Sequence, residues 1–257
     1  MSTARIGHTV NNGAAAEQAK LETSHLSRDD LRRVVLHTPR DIQSIAKEHS
    51  LFIAGGFIRS VICNEPPNDI DLFGSTADKL REVAGKLANS RGGRLHGTGN
   101  AYTVLSEGRT PVQFIHRWLY EQPESLLKEF DYTIACAVVW WNTQKEQWSS
   151  LCDSNYYADL AAKRLVYRRP NRKEDAGGSL LRARKFLSRG YHISAHNLGL
   201  VVARLCSGID FKAVEANGNL EQVIIGKLRE VDPLLIIDRV DTVDEHESIP
   251  AESALRQ

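Results

Sequence analysis

Two aspartates with a single residue between them are the strongest chemical signal in the sequence. Asp69 and Asp71 alternate with Ile70 and Leu72. On a β-strand this alternation turns both carboxylates to one side, about 7 Å apart, and both apolar side chains to the core. Carboxylate pairs of this kind can share hard divalent cations such as Mg²⁺ or Mn²⁺. We therefore predict that Asp69 and Asp71 are the metal ligands and the catalytic residues of an active site.

A pair of glycines lies a short distance before these aspartates. Gly55 and Gly56 follow the apolar run 51–54, which predicts a buried strand, and Arg59 follows them in a helix-like segment. Paired glycines let backbone N–H groups approach an anion closely, and a helix that begins there favours negative charge. A phosphate cradle beside metal-binding carboxylates is what nucleotidyl transfer requires, because that chemistry is mostly positioning and charge neutralisation.

The pattern G-G-x-x-R followed by D-x-D on a strand resembles the head domain of the DNA polymerase beta nucleotidyltransferase superfamily. The branch it resembles is that of bacterial poly(A) polymerases and class II CCA-adding tRNA nucleotidyltransferases. Further segments extend the likeness over about residues 48–195, namely D-Y-T-I at 131–134, D-L-A-A-K at 159–163 and L-R-A-R-K-F at 181–186.

The resemblance implies a site, a cofactor and a substrate. It implies Mg²⁺ (or Mn²⁺) as the cofactor and a nucleoside triphosphate, such as ATP, as the substrate. Asp131 would help to hold the sugar of the nucleotide, and Arg182 would point to the nucleotide pocket. The nucleotide-binding residues implied are Gly55, Gly56, Arg59, Asp131, Arg182 and Lys185.

Several positions depart from the family's pattern. Ser60 replaces the aspartate that usually follows the arginine, and Glu129 and Phe130 replace two arginines. Many members of the superfamily supply a third carboxylate from a neighbouring strand, where this chain has Gln113, a neutral and poor ligand for Mg²⁺. Asp131 could substitute for that carboxylate.

The base-reading element of CCA-adding enzymes is also poorly matched. Its motif E-D-x-x-R would fall on Asp175, Ala176 and Ser179, so only an acidic first position is kept. A templated choice between CTP and ATP is therefore not supported.

The segment 159–192 is strongly basic. It carries ten Lys or Arg against three acids, whereas the whole chain has a net charge of only +1. Such a local excess can meet a triphosphate or an RNA backbone, and a solvated helix surface is the alternative interpretation.

Composition places the chain among ordinary globular proteins. Its 257 residues are 42% hydrophobic and 25% charged, and its four cysteines are scattered without a C-x-x-C pair. No apolar run approaches 18 residues, and the N-terminus lacks the apolar region of a signal peptide. We expect a cytoplasmic protein with no membrane partner.

We predict an α+β fold in which a small mixed β-sheet with flanking helices forms a nucleotidyltransferase head, followed by a short all-helical neck. The predicted divisions are a flexible arm (1–24), the head (25–150), a basic linker and neck (151–237) and an acidic flexible tail (238–257). The predicted strands of the head include 101–105, 112–115 and 135–140.

Two functions remain open at this point. The first is a metal-dependent nucleotidyltransferase that moves NMP from an NTP to a hydroxyl on an RNA 3′ end, a protein or a small molecule, which includes a role in RNA processing. The second is a nucleotide-binding or RNA-binding protein that keeps the fold without catalysis, which the departures at Ser60, Gln113, Glu129 and Phe130 would favour.

Overall fold

The structure is a computed structural model that describes residues 22–168 and 176–229. Within those ranges the chain alternates between strands and helices. The strands are β1 (Thr23–Ser24), β2 (Phe52–Ala54), β3 (Ile70–Phe73), β4 (Arg94–Gly97), β5 (Ala101–Leu105), β6 (Val112–Ile115), β7 (Ala137–Asn142), β8 (Gln147–Asp153), β9 (Arg164–Leu165) and β10 (His192–Ile193).

The helices fall into a group around the sheet and a group after it. They are α1 (Arg28–His37), α2 (Arg40–His49), α3 (Gly56–Ile62), α4 (Ala77–Ser90), α5 (Pro123–Leu127), α6 (Tyr156–Ala161), α7 (Ala176–Ser188), α8 (Ala195–Ser207), α9 (Phe211–Asn217) and α10 (Leu220–Arg229). A short 3₁₀ turn covers Thr133–Ala135. No described helix combines the length and the apolar composition that a bilayer crossing requires.

Eight strands form one mixed sheet in the order β1-β8-β7-β2-β3-β6-β5-β4. Every neighbouring pair in it is antiparallel except β3 and β6, which are parallel. The predicted α+β fold with a mixed sheet is thereby confirmed. The sheet also extends past the predicted head boundary at residue 150, because β8 continues to Asp153 and pairs with both β7 and β1.

The two faces of the sheet have different surroundings. On one face, α1 to α4 bury Ile53, Ile70, Leu72 and Phe114 in the larger core, each no more than 1% exposed. The other face carries a smaller cluster that includes Phe52, Phe73, Ile115 and Leu126. Burial of one strand face by helices explains the alternation in β3, since Ile70 and Leu72 need the core whereas Asp69 and Asp71 need the other side.

The neck packs against this head through α7. Phe186 of α7 joins the larger core together with Tyr191, and α7 is itself packed by α8 and α10. The neck was predicted to be all helical, but β9 and β10 add a two-residue parallel pairing.

Two predicted segments lie largely outside the described residues. These are the N-terminal arm, apart from residues 22–24, and the acidic tail at 238–257. Thr23 and Ser24 belong to the sheet, since they pair with Asp153 and Cys152 of β8.

Candidate active site

All eight residues predicted for the site line one cleft between the head and α7. The cleft has a volume of about 160 Å³. Its lining includes Gly55, Gly56, Arg59, Asp69, Asp71, Asp131, Arg182 and Lys185. The sheet, the glycine turn, the loop before the 3₁₀ turn and α7 therefore bring together positions that are up to 130 residues apart in sequence.

The carboxylates are placed by β3, at the centre of the sheet. Asp71 is in register with Ala54 of β2 on one side and with Gln113 of β6 on the other, and Asp69 directly precedes the strand. Both aspartate side chains are half-buried, whereas Ile70 and Leu72 between them are in the core. The predicted alternation is thus observed, with both carboxylates facing the cleft.

The glycine turn lies against Asp71. Gly55 has a φ of 79°, and a Cβ built on it would lie 3.5 Å from Oδ2 of Asp71 and 3.4 Å from Phe130. The positive φ favours a glycine here, whereas the space around the position would accommodate a Cβ at ordinary contact distance. A Cβ on Gly56 would meet nothing within 4 Å, so the second glycine borders open space in the cleft. The backbone at Gly56 is therefore accessible to a ligand.

Two cations of the neck act on Asp69. Burial raises the pKa of the Asp69 carboxyl above its usual 3.8, while the nearby charges of Lys185 and Arg189 oppose that rise. Lys185 lies in α7 and Arg189 directly after its end, and both line the cleft. The carboxylate end of the cleft is therefore faced by positive charge from the neck.

Asp131 and Arg182 are bound to each other. Nε of Arg182 donates to Oδ2 of Asp131 at 2.7 Å. The Asp131 side chain is 3% exposed and the Arg182 side chain 20% exposed, so this ion pair is largely shielded from water. The carboxylate of Asp131, which could have served as a third metal ligand, is thus bound to Arg182.

Arg59, which we predicted to bind the nucleotide, lines the cleft but is itself bound by neighbouring side chains. Its guanidinium is 1% exposed and lies 2.9 Å from a carboxylate oxygen of Glu65, and it donates to Oγ of Ser60 at 3.0 Å. It also lies 5.2 Å from the ring centroid of Phe186 and 5.9 Å from that of Tyr191. Glu65 thereby supplies the carboxylate that Ser60 lacks, and Arg59 connects α3 to the neck at the wall of the cleft.

Gln113 occupies the position of the missing third carboxylate. It faces Asp71 across the parallel β3–β6 pair and is 0% exposed. Neither atom of its side-chain amide has a hydrogen-bond partner among the described residues. A buried amide without partners is costly, so its place beside Asp71 calls for a ligand or a water molecule in its vicinity.

The basic segment has a structural use that the sequence did not indicate. Arg164 lies 2.5 Å from Asp159, and Arg168 lies 3.0 Å from Asp153. Both aspartates are buried, at 0% and 6% exposed. Both arginines thus pair with buried acids, although the Arg164 side chain itself is 50% exposed, whereas that of Arg168 is 11% exposed. Arg169, Arg172 and Lys173 of the same segment lie outside the described residues.

Aromatic side chains that sequence reasoning missed form the other end of the cleft. Trp118 and Tyr120 follow β6 and line the cleft together with Phe73 and Phe130. Phe73 packs against Tyr120 and against Phe130, with ring centroids 6.3 Å apart in both pairs. The available signal was the run Trp118-Leu119-Tyr120 directly after a strand next to the D-x-D strand.

The donors present fit a Mg²⁺ ion that takes its other ligands from a substrate. Within residues 22–168 and 176–229, no cluster of three or more His, Cys, Asp or Glu could hold a metal. However, Mg²⁺ sites commonly use one or two carboxylates and complete the shell with water and substrate phosphates. Asp69 and Asp71 beside the open space at Gly56 meet that requirement.

One protein family matches the part of the chain that forms this cleft. A family model described as "Gabija anti-defense 2 family protein" matches residues 23–163, from β1 to just past α6, which is more than half of the chain. The chain belongs to the Gabija anti-defense 2 family. The matched residues include the glycine turn, both cleft carboxylates and the aromatic end of the cleft. No curated protein matches the chain.

Solved structures of CCA-adding enzymes share the fold. A CCA-adding enzyme in complex with ATP is 18% identical, with a TM-score of 0.55 over 81% of this chain and 50% of that one. An apo structure of a CCA-adding enzyme is also 18% identical, with a TM-score of 0.52 over 81% of this chain and 49% of that one. The Thermotoga maritima CCA-adding enzyme in complex with tRNA is 18% identical, with a TM-score of 0.51 over 72% of this chain and 46% of that one. The chain thus spans about half the length of these enzymes.

The expected resemblance is confirmed at the level of the fold. The chain has a nucleotidyltransferase fold like that of the CCA-adding enzymes. Its family is the anti-defense family and not that of the poly(A) polymerases.

Proposed function

We propose that this protein is a metal-dependent nucleotidyltransferase that transfers NMP from a nucleoside triphosphate to a hydroxyl group. The observation that carries the proposal is the cleft in which Asp69 and Asp71 face the glycine turn on one side and the cations of α7 on the other. Phosphate-binding backbone, paired carboxylates and neighbouring positive charge are the three requirements of phosphoryl transfer.

In this reaction the acceptor oxygen forms a bond to the α-phosphorus, and the bond from that phosphorus to the bridging oxygen breaks. Pyrophosphate leaves with the electron pair, and the hydroxyl proton is released to water. Bound Mg²⁺ or Mn²⁺ supplies neutralisation of the phosphate charge and lowers the pKa of the acceptor hydroxyl. Asp69 and Asp71 would hold these ions.

The remaining cleft residues orient the nucleotide. Gly56 leaves room for the triphosphate to approach the backbone, and Gly55 keeps the turn against Asp71. Lys185, together with Arg189, offers charge to the β- and γ-phosphates. Asp131, held by Arg182, would accept a hydrogen bond from a sugar hydroxyl, and Arg59 would hold α3 against the neck through Phe186.

The family description suggests the biological setting. We propose that the transfer counteracts the Gabija defense after which the family is described. The acceptor is an RNA 3′ end, a protein hydroxyl or a small molecule. RNA has support from the positive charge of the segment 159–192 and from the solved relative that carries tRNA.

The test is a labelling experiment with each of the four NTPs, labelled at the α-phosphate. The full chain is incubated with Mg²⁺, total RNA and a lysate that contains the Gabija proteins, and mass spectrometry identifies the species that acquires label. Label that depends on Mg²⁺ and disappears in Asp69→Ala and Asp71→Ala supports the proposal. Label that persists in both variants refutes it.

A catalytically inactive nucleotide-binding or RNA-binding protein is the second proposal. It is favoured by Gln113, which places a neutral amide beside Asp71 where the superfamily often has a third carboxylate. Mg²⁺-dependent NTP binding without a labelled product under any of the conditions above would support this second function.

A further inference from the structure

The cleft has two chemically different ends. Asp69, Asp71 and the cations of α7 form the charged end, whereas Phe73, Trp118, Tyr120 and Phe130 form the aromatic end. β3 runs from one end to the other, because Asp69, Asp71 and Phe73 share a face of that strand. The strand rise places the Cα atoms of Asp71 and Phe73 about 7 Å apart.

A nucleoside triphosphate has the same division. Its phosphates are strongly negative, so they belong at the charged end, where Lys185 and Arg189 act on Asp69. The base is flat and largely apolar on its faces. With the α-phosphate at Asp71, an extended nucleotide brings its base to the aromatic end, since the two parts are separated by the length of a ribose.

The start of the neck helix offers no competing base site. Ser179 in α7 is 0% exposed, since its Oγ accepts a hydrogen bond from Arg204 at 2.8 Å and its carbonyl accepts one from Tyr132 at 2.8 Å. Gly177 is packed so closely by α10 that a Cβ on it would lie 2.0 Å from the carbonyl oxygen of Lys227. These positions of α7 are occupied by protein and do not line the cleft.

The cleft-facing part of α7 is rich in positive charge, which suits phosphates. Its lining residues are Arg182, Lys185 and Phe186, with Arg189 directly after the helix. Three of the four are cations, and Nε of Arg182 is bound to Asp131. Neither an amide nor a hydroxyl side chain from the described part of α7 reaches the cleft.

We propose that the aromatic end of the cleft, and Trp118 in particular, binds the base of the incoming nucleotide by stacking, so that the protein accepts all four NTPs and favours purines. This inference rests on the proposed function and names its substrate class. Stacking on aromatic rings tolerates every base, because every base has a π-face, and preferences among bases come from stacking strength. Arg117 lies 5.0 Å from the centroid of the Trp118 ring and supports the indole.

The experiment measures binding without turnover by isothermal titration calorimetry. The probes are the four α,β-methylene nucleoside triphosphates and inorganic tripolyphosphate, which lacks a base, all with Mg²⁺. The variants are Trp118→Ala, Tyr120→Ala and the conservative Trp118→Phe. The matched control is Trp141→Ala, because that indole lies outside the cleft, under Nζ of Lys47 at 3.8 Å. Melting temperatures check that each variant is folded.

The proposal predicts that all four analogues bind the wild type, with purines about 2- to 10-fold tighter than pyrimidines. Trp118→Ala weakens the analogues about 5- to 100-fold and leaves tripolyphosphate unchanged. Trp118→Phe stays close to the wild type, as does Trp141→Ala. Tyr120→Ala provides the same comparison if Trp118→Ala does not fold.

Other results overturn the proposal in distinguishable ways. Equal affinity of the wild type and Trp118→Ala for the analogues refutes stacking but leaves the proposed transferase intact. Unchanged analogue binding with loss of transfer in Trp118→Ala assigns the aromatic end to the acceptor instead. Failure of every analogue to bind the wild type removes both this inference and the proposed function.

Discussion

Nε of Arg182 donates a 2.7 Å hydrogen bond to the carboxylate of Asp131, and this ion pair joins the neck helix to the head at the cleft. The resemblance predicted each residue separately as a nucleotide ligand. Because they bind each other, neither acts alone: Arg182 orients the Asp131 carboxylate, and Asp131 holds the Arg182 guanidinium at the cleft.

We expect Arg182→Ala to destabilise the fold by about 3 kcal/mol, because it leaves a buried carboxylate without its partner. Arg182→Lys keeps the charge but loses the planar geometry, so it should have a smaller effect. A double-mutant cycle with Asp131→Asn, measured by urea unfolding, should give a coupling of about 1–3 kcal/mol. Strictly additive effects of the two substitutions would contradict the role of this pair.

Asp69→Ala and Asp71→Ala should each abolish NMP transfer, because each removes one of the two carboxylates that would hold the metal ions. The melting temperature of Asp71→Ala should stay close to that of the wild type, and that of Asp69→Ala should not fall below it, since both side chains face the cleft and not the core. The matched control is Asp78→Ala, which removes an exposed acid from the first turn of α4. The measurement is transfer of α-labelled NMP, and activity in either aspartate variant would exclude that residue.

The raised pKa of Asp69 gives a prediction about pH and stability. Burial raises this pKa, so the folded protein holds the proton more tightly than the unfolded chain does. The resulting stabilisation is complete below pH 3.8, the ordinary value, and is lost as the pH rises through the folded pKa. In metal-free buffer at neutral pH, Asp69→Asn should therefore be more stable than the wild type.

Urea unfolding of Asp69→Asn and the wild type between pH 4 and pH 8 measures this difference. The advantage of the variant should shrink toward the acidic end of the range. A wild type that is more stable than Asp69→Asn at neutral pH without metal would show that Lys185 and Arg189 outweigh the burial of the carboxylate.

Gln113→Glu should restore a three-carboxylate arrangement and make stability depend on metal. Neighbouring strands are about 4.8 Å apart, so the new carboxylate would stand beside that of Asp71 in a buried position. In EDTA we expect the melting temperature to fall by roughly 5 °C, and Mg²⁺ or Mn²⁺ to recover most of the loss.

Gln113→Leu is the matched control for that substitution. It removes a buried amide that lacks hydrogen-bond partners among the described residues, so its stability should equal or exceed that of the wild type, with no added response to metal. If Mg²⁺ or Mn²⁺ raised the melting temperatures of the Glu and Leu variants equally, the side chain at position 113 would not bind the cation.

The two glycines of the turn should respond differently to alanine. Gly55→Ala places a side chain at a φ of 79°, which should cost about 1–2 kcal/mol of stability. Gly56→Ala meets no neighbour within 4 Å, so the fold should tolerate it, but its methyl group borders the space proposed for the triphosphate. NMP transfer by Gly56→Ala should fall about 10- to 100-fold at an unchanged melting temperature. Full activity of this variant would place the phosphates elsewhere.

Local patterns allowed much of the head to be predicted. Strands 101–105 and 112–115 were predicted with their observed bounds, because alternating or continuous apolar residues mark buried strands. Ser27 caps α1 through its hydroxyl, and Asp30 stands three residues after it, at the spacing of a capping box. That Asp69 and Asp71 point to the same side of the sheet likewise follows from the two-residue repeat of a strand.

The structural features that escaped prediction depend on exposed edges or on distant contacts. β4 is exposed along its whole length, so Arg94–Gly97 shows no hydrophobic alternation. Arg59 is buried by Phe186 and Tyr191, which follow it by well over 100 residues, and no local pattern announces such a contact. Arg168 was interpreted as surface charge because its buried partner Asp153 lies in β8, outside the basic segment.

The contact between Gly177 and the carbonyl of Lys227 brings the backbones of α7 and α10 together with no side chain between them. Because backbone meets backbone there, α10 braces the start of the helix that carries Arg182 and Lys185. No described residue of α10 lines the cleft. A substitution in α10 at this contact should therefore disturb the cations opposite Asp69 without altering any residue of the cleft itself.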